Sequence, residues 1–391
     1  CGKYAGRQFF NANQRMIKII YCIPATYNSG GMERVLANKA NWLVRNGYDV
    51  SILTTDQMAR RPFFYFDPRI QFYDLGINYE ENNGKSFLNK LIHYPFKQWK
   101  HKNALKRILM EQNADVVVSM FGNDASILPG INDGSRTVLE IHFSRFKRQQ
   151  YGRKGIWKIV DDIRSRNDLK VVSKFDRFVV LTEEDKGYWG DLQNIQVIPN
   201  ARTFVFDCPA ELTEKKVIAV GRYCYQKALD RLIDAWSIVC QSVSDWKLYL
   251  VGDGEDRVSL QQQIERLGLS DKVILGRAET DMPSVYTDAS ILALSSRYEG
   301  LPMVLLEAQA AGLPIVSFEC KCGPRDVLTN GEDGFLVKEG DVETLAAKIR
   351  ELIIDEDLRR RMGAEAYKNS ERFSEEKVMT QWVELFNEVI K

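Results

Sequence analysis

The chain has 391 residues, 45% of them hydrophobic, with 54 Lys+Arg against 53 Asp+Glu. That length accommodates two domains, and the composition is that of a soluble globular enzyme. No apolar run reaches the eighteen or so residues needed to span a membrane, and residues 1–15 lack the apolar core of a secretory signal. The near-neutral total hides an asymmetry: residues 1–200 carry 30 Lys+Arg and 20 Asp+Glu, residues 201–391 carry 24 and 33. A basic and an acidic half point to two domains with different partners. The seven cysteines are odd in number and scattered, which reads as unpaired cytosolic thiols.

Residues 1–15 are expected to be a tag or disordered extension, with Met16 opening the first strand pattern. Lys18 to Pro24 predicts a strand, Thr26 to Gly31 a turn, Met32 to Asn46 a helix and Tyr48 to Thr54 a second strand. Further strands are expected at Val116 to Met120, Thr137 to Ile141, Arg177 to Leu181 and Val197 to Pro199. Such βαβ repetition implies a parallel sheet with right-handed crossovers. Residues 200–214 lack periodicity and contain Pro209, which places a domain boundary there. Beyond it, strands are predicted at Val217–Val220, Lys247–Val251, Val273–Leu275, Ile291–Leu294, Ile315–Phe318 and Phe335–Val337. Helices are predicted at Ala228–Ser242, Arg257–Leu267, Thr344–Ile354, Asp357–Asn369 and Glu375–Ile390, the last with Ser374 as N-cap. The expected domains are thus 16–205 and 206–374, followed by a terminal helix at 375–391.

The most informative stretch is Ser296 to Glu307, Ser-Arg-Tyr-Glu-Gly-Leu-Pro-Met-Val-Leu-Leu-Glu. It joins an apolar strand to a helix through a Gly-Pro turn. A helix start offers unpaired N–H groups and partial positive charge, which suit phosphate. Glu299 and Glu307 bracket the turn, and carboxylates there suit sugar and ribose hydroxyls. A second strand ends at Gly221, followed by Arg222 and, five residues on, Lys227. Ligands of open α/β sheets sit beyond the carboxyl ends of the strands, so both cations are placed for a pyrophosphate.

Gly30-Gly31 follows the first strand, where a dinucleotide-binding chain carries G-x-G-x-x-G. Only the adjacent pair is present, so that fingerprint fails. His142 ends the strand Thr137 to Ile141. Glu140 is expected on the opposite face of that strand, in a structural role. Asp355-Glu356-Asp357 has D-x-D spacing, but helix-start acids explain it better than a metal.

With these pieces in order the chain resembles the retaining glycosyltransferases of family 4. The matching segments are Gly30-Gly31-Met32-Glu33-Arg34, Glu140-Ile141-His142, Ile198-Pro199-Asn200, Gly221-Arg222 with Lys227, Val251-Gly252-Asp253-Gly254, Glu299 to Glu307, and Gly331 to Val337. The resemblance implies the GT-B fold: two Rossmann-like parallel-sheet domains facing a cleft, with the C-terminal helix crossing back to the N-terminal domain. It implies transfer of a sugar, with retention, from a nucleotide-sugar (a UDP-sugar is expected) to a saccharide or lipid-linked acceptor in envelope polysaccharide, lipopolysaccharide or glycolipid synthesis. Arg222, Lys227, Glu299 and His142 are the implied catalytic residues, with His142 on the donor sugar. Gly30, Gly31, Gly221, Arg277, Gly300, Leu301, Pro302, Met303, Val304 and Glu307 are the implied donor-binding residues. With side chains supplying the cations, no metal or other cofactor is expected. Other activities on the same fold, an epimerase or a phosphorylase, and a silent nucleotide-sugar-binding scaffold are the alternatives.

Two basic, aromatic segments remain. Lys85 to Arg107 has seven cations besides its histidines, no acid, and Phe87, Tyr94, Phe96 and Trp99. Ser144 to Lys170 has nine cations against three acids, with Phe146, Tyr151 and Trp157. This mixture suits an anionic membrane surface. No nucleic-acid module accompanies it. The expected location is cytoplasmic, peripheral on the inner face of the membrane.

Overall fold

The computed structural model describes residues 15–82, 87–146 and 155–391; for residues 82, 87–92 and 156–160 only the backbone is described. The expected N-terminal extension therefore lies outside the described residues apart from Arg15. So do Lys85 and positions 147–154 of the basic segments.

In chain order the first half runs β1 (Lys18–Ile23), α1 (Gly31–Arg45), β2 (Asp49–Thr54), β3 (Gln71–Asp74), α2 (Phe87–Gln112), β4 (Val116–Ser119), β5 (Arg136–Glu140), α3 (Ile156–Val172), β6 (Arg177–Val180), α4 (Glu183–Tyr188) and β7 (Ile195–Val197). The strands form one sheet in the order β3-β2-β1-β4-β5-β6-β7, and every pairing is parallel. Val116 to Val118 are fully buried, as expected of a strand covered on both faces. The second half runs β8 (Lys216–Val220), α5 (Leu229–Val239), β9 (Lys247–Val251), α6 (Arg257–Arg266), β10 (Val273–Leu275), α7 (Met282–Thr287), β11 (Ile291–Leu294), α8 (Met303–Ala310), β12 (Ile315–Glu319), α9 (Pro324–Val327), β13 (Gly334–Lys338), α10 (Val342–Ile354), α11 (Glu356–Asn369) and α12 (Glu375–Ile390). Its sheet has the order β10-β9-β8-β11-β12-β13, again all parallel.

Both sheets reverse their winding direction once: the first between β1 and β4, the second between β8 and β11. A crevice opens outside the carboxyl ends of the strands at each such point. The loops after β1 and β4, and those after β8 and β11, are therefore the ones the fold makes available.

α12 returns to the first sheet. Its Val378, Met379, Trp382, Leu385 and Phe386 are buried in one cluster with Ile19 and Tyr21 of β1 and Leu36 and Ala40 of α1. Arg45 reaches Glu375 at 3.4 Å on the rim. Ser374 is the N-cap by backbone position, yet its side chain caps no amide. The linker is tied to the approach to α12: Arg202 N–H donates to the Phe373 carbonyl (2.8 Å), and its guanidinium to Ser370 Oγ (2.6 Å) and to Glu371.

Several expectations need correction. β3 was not anticipated, because Gln71–Asp74 is a partly exposed edge strand without an apolar run. β7 lies at Ile195–Val197, two residues before the expected Val197–Pro199, since Pro199 has no N–H for a ladder. α2 runs through Pro95 without a break. β8 stops at Val220, so Gly221 begins the loop.

Candidate active site

The second sheet brings Lys227 and Glu299 together. Lys227 follows β8 and Glu299 follows β11, the two strands at the reversal point. Lys227 Nζ lies 2.7 Å from Glu299 Oε1, and Ser296 Oγ donates to the same oxygen at 2.6 Å. Gln226 Nε2 donates to Oε2 at 3.3 Å. Both partners are largely buried, with side-chain exposures of 17% and 7%. The lysine stem lies against Gly221: a β-carbon there would sit 3.0 Å from Lys227 Cε. Gly252 makes a closer approach still, for a β-carbon on it would overlap the Gly221 carbonyl oxygen at 2.0 Å. Arg222 is exposed and pairs with no acid among the described residues.

The turn after Glu299 leads into α8. Pro302 occupies its N-cap and no side chain caps the helix, so no side chain claims its first amides. Leu301 and Pro302 are buried, while Met303 and Val304 are half-buried and pack on the core beneath. Glu307, one turn in, is buried and accepts from Tyr286 Oη at 2.6 Å. Burial raises its carboxyl above the usual range, against the hydrogen bonds and the charge of Arg34. Arg34 belongs to α1, so its influence on Glu307 acts across the cleft. Its guanidinium lies over Phe64 (4.6 Å) and Phe204 (5.8 Å). The expected site did not include Arg34, although it closes the glycine motif.

Arg277 is exposed just after β10. The carbonyls before it are held by Arg257, which donates to Gly276 (2.7 Å) and Leu275 (3.1 Å), and by Tyr223 Oη (3.1 Å to Gly276).

From the first domain, the loop after β5 meets the α8 turn. A β-carbon on Gly300 would stand 2.7 Å from the His142 carbonyl oxygen and 2.9 Å from Phe143 Cα. His142 and the Glu299–Gly300 turn are therefore neighbours across the domain boundary. Glu140 does not lie on the opposite face from His142. Its Oε1 is 3.1 Å from His142 Nε2 and 2.6 Å from Lys39 Nζ. Positions two apart on an extended chain share a face, and that decides it. Burial alone would raise the Glu140 carboxyl; the charges of Lys39 and His142 and the Lys39 hydrogen bond outweigh it and bring the value down to about 2.

Gly30 is the N-cap of α1. A β-carbon on it would collide with Glu33 Oε2 (2.3 Å), whereas one on Gly31 would meet nothing within 4 Å. A side chain at the first position would displace the Glu33 carboxylate, while the second position is open. Asp124, in the loop after β4, was not anticipated. It is buried, Oδ2 has no hydrogen-bond partner among the described residues, and burial pushes its carboxyl up to about 6. Its one signal in the sequence is position, beside the reversal point of the first sheet.

Among the described residues no group of three or more His, Cys, Asp or Glu is arranged to hold a metal ion. Asp355 caps α11, accepting from the Leu358 amide at 2.8 Å.

Comparison with known proteins agrees with this geometry. The model of glycosyltransferase family 4 matches residues 29–202, and that of the glycosyl transferases group 1 matches residues 202–369. The amylovoran biosynthesis glycosyltransferase AmsD of Erwinia amylovora is 27% identical over 391 residues, covering 95% of this chain and 100% of that protein. A Campylobacter jejuni α-1,4-N-acetyl-D-galactosaminyltransferase, named for a diNAcBac-PP-undecaprenol-linked acceptor, is 28% identical over 383 residues (96% and 99%). TarM superposes with a TM-score of 0.77 at 18% identity (95% and 99%). Anabaena HepE, solved with UDP and glucose, superposes with a TM-score of 0.72 at 17% identity (95% and 99%). The two family models meet at residue 202 and between them cover residues 29–369, which is both sheets apart from β1. With the GT-B architecture, they establish that the chain is a glycosyltransferase and belongs to family 4.

Proposed function

We propose that the enzyme transfers a sugar from a UDP-sugar to a saccharide or lipid-linked acceptor, with retention of configuration, in bacterial envelope polysaccharide synthesis. The observation that carries this reading is the Lys227–Glu299 pair at the mouth of the second sheet, faced by His142 through the Gly300 contact. As the bond from the anomeric carbon to the diphosphate breaks, negative charge grows on the leaving oxygens. Arg222, Lys227 and the amides from Gly300 to Val304 take up that charge in a partly buried site. Glu307 accepts from the ribose hydroxyls, Glu299 and His142 hold the transferred sugar, and the backbone at Gly276–Arg277 faces the base. Gly30, Gly31 and Gly221 let backbone approach the donor closely. With these cations taking up the leaving-group charge, turnover is expected to persist in EDTA.

The relatives' names support the context. Several are polysaccharide or lipid-linked glycan enzymes, and HepE was solved with UDP. The test is a thermal-shift screen with UDP-, GDP-, ADP- and dTDP-sugars, followed by nucleotide release with the best binder. At 100 times the dissociation constant a donor adds about 2.7 kcal/mol of stability. A selective UDP-sugar hit with slow release fixes the donor. A shift without nucleotide release favours a silent nucleotide-sugar-binding scaffold, and no shift with any of them overturns the donor reading.

We further propose that α2 rests on the inner face of the cytoplasmic membrane. Phe96 and Trp99 are each 63% exposed and stack at 6.0 Å between centroids. Exposed Lys100, Lys102, Lys106 and Arg107 follow on the same helix. Among the described residues no helix is long and apolar enough to cross a membrane.

A further inference from the structure

A buried charge cluster joins the candidate site to the C-terminal helix. Lys39 of α1 and Glu140 of β5 have side-chain exposures of 5% and 1%, and His142 of 7%. Lys39 Nζ also lies 3.6 Å from the centroid of the Trp382 ring in α12. Around them is an apolar cluster containing Tyr21, Leu36, Trp42, Leu43 and Phe386. Burying an ammonium and a carboxylate in such a place is costly, and well-packed hydrophobic residues of similar volume are often as stable or more so. Stability therefore does not account for the pair. Its geometry does: one carboxylate oxygen serves both Lys39 and the His142 ring. Both nitrogens of the histidine ring are buried. Nδ1 has no hydrogen-bond partner among the described residues, and the Nε2 contact is an ion-pair approach without hydrogen-bond alignment. The backbone of His142 is meanwhile set by Gly300 of the other domain.

We propose that Glu140 is a positioning residue that holds the His142 ring toward the donor, and that Lys39, clamped between Glu140 and Trp382, fixes Glu140. α12 thereby acts on the active site through the Trp382–Lys39 contact. This rests on the reading of His142 as a donor contact.

The test uses the full chain. It has three histidines, His93, His101 and His142, so the ring nitrogens are separable by NMR of histidine-labelled protein. Glu140→Gln is expected to move the His142 ring signals and leave those of His101 in place. It leaves Lys39 buried without its partner. The neutral pair Lys39→Met/Glu140→Gln avoids that and should fold with the same His142 response. Nucleotide release should fall about tenfold or more in kcat, with donor KM changed less than about threefold, and that loss should vanish in a His142→Ala background, since residues acting through one another are not additive. Unmoved His142 signals, or a Glu140→Gln loss that repeats in full on top of His142→Ala, overturn the proposal and leave an ordinary buried ion pair. If the wild-type protein releases no nucleotide from any sugar nucleotide, the functional reading fails, and the ring spectra still decide whether Glu140 holds His142.

Discussion

Lys227 carries the sharpest expectation at the scale of the residue. In the free protein its ammonium is engaged by Glu299, and a diphosphate entering the site offers it a second, stronger partner. Lys227→Ala is expected to lower kcat about a hundredfold or more, the usual cost of losing one charge-stabilising group. A variant with near wild-type turnover removes Lys227 from that role. Asp124 is testable without substrate. Its folded value of about 6 lies above that of an unfolded carboxyl, so the native state binds this proton more tightly. Its contribution is present at low pH and is lost as pH rises from about 4 through 6, on the order of 3 kcal/mol in all. Asp124→Asn should flatten that part of the stability profile in chemical denaturation at stepped pH. Glu140 has the opposite sign: its stabilisation is present above about pH 4.5 and is lost as pH falls toward 2.

Between elements, the turn leading into α8 and the loop after β5 depend on a missing side chain. Gly300→Ala places a methyl group 2.7 Å from the His142 carbonyl oxygen, and backbone on both sides must give way. We expect nucleotide binding to survive, because Lys227, Glu307 and α8 stay within one domain. Nucleotide release should fall at least tenfold, because His142 moves off the donor. A thermal shift with nucleotide beside a release assay separates the two effects. The sequence carried the strand ends well. Apolar runs closing on Gly221 or on the Ser296–Glu299 turn mark buried parallel strands, and the fold then has no freedom about where their loops lie. It did not carry β3, whose four residues at an exposed edge show neither an apolar run nor an alternation, nor Asp124, whose meaning comes from its burial. Glu140 was legible in principle: the strand's own period of two puts it beside His142. Lys39, a hundred residues earlier, had no local sign of its role.

Across the whole molecule the charge asymmetry becomes spatial. The basic half carries α2 with Phe96 and Trp99 outward, and the acidic half carries the Lys227–Glu299 pair. Co-sedimentation with anionic vesicles should be measurable at low salt and weaken as salt is raised, with little binding to neutral vesicles. Phe96→Ser/Trp99→Ser should reduce it several-fold while leaving nucleotide release in solution intact. Equal binding to neutral and anionic vesicles, or none to either, rules the membrane contact out.

The Arg202 tie has a mechanical consequence. The chain crosses between the two halves twice, once outward near residue 202 and once back near residue 374, and Arg202 binds the two crossings to each other through Phe373, Ser370 and Glu371. Two crossings pinned to each other resist twisting more than either does alone, so any relative motion of the two halves is expected to follow a single swing, one that keeps the His142 carbonyl in line with Gly300.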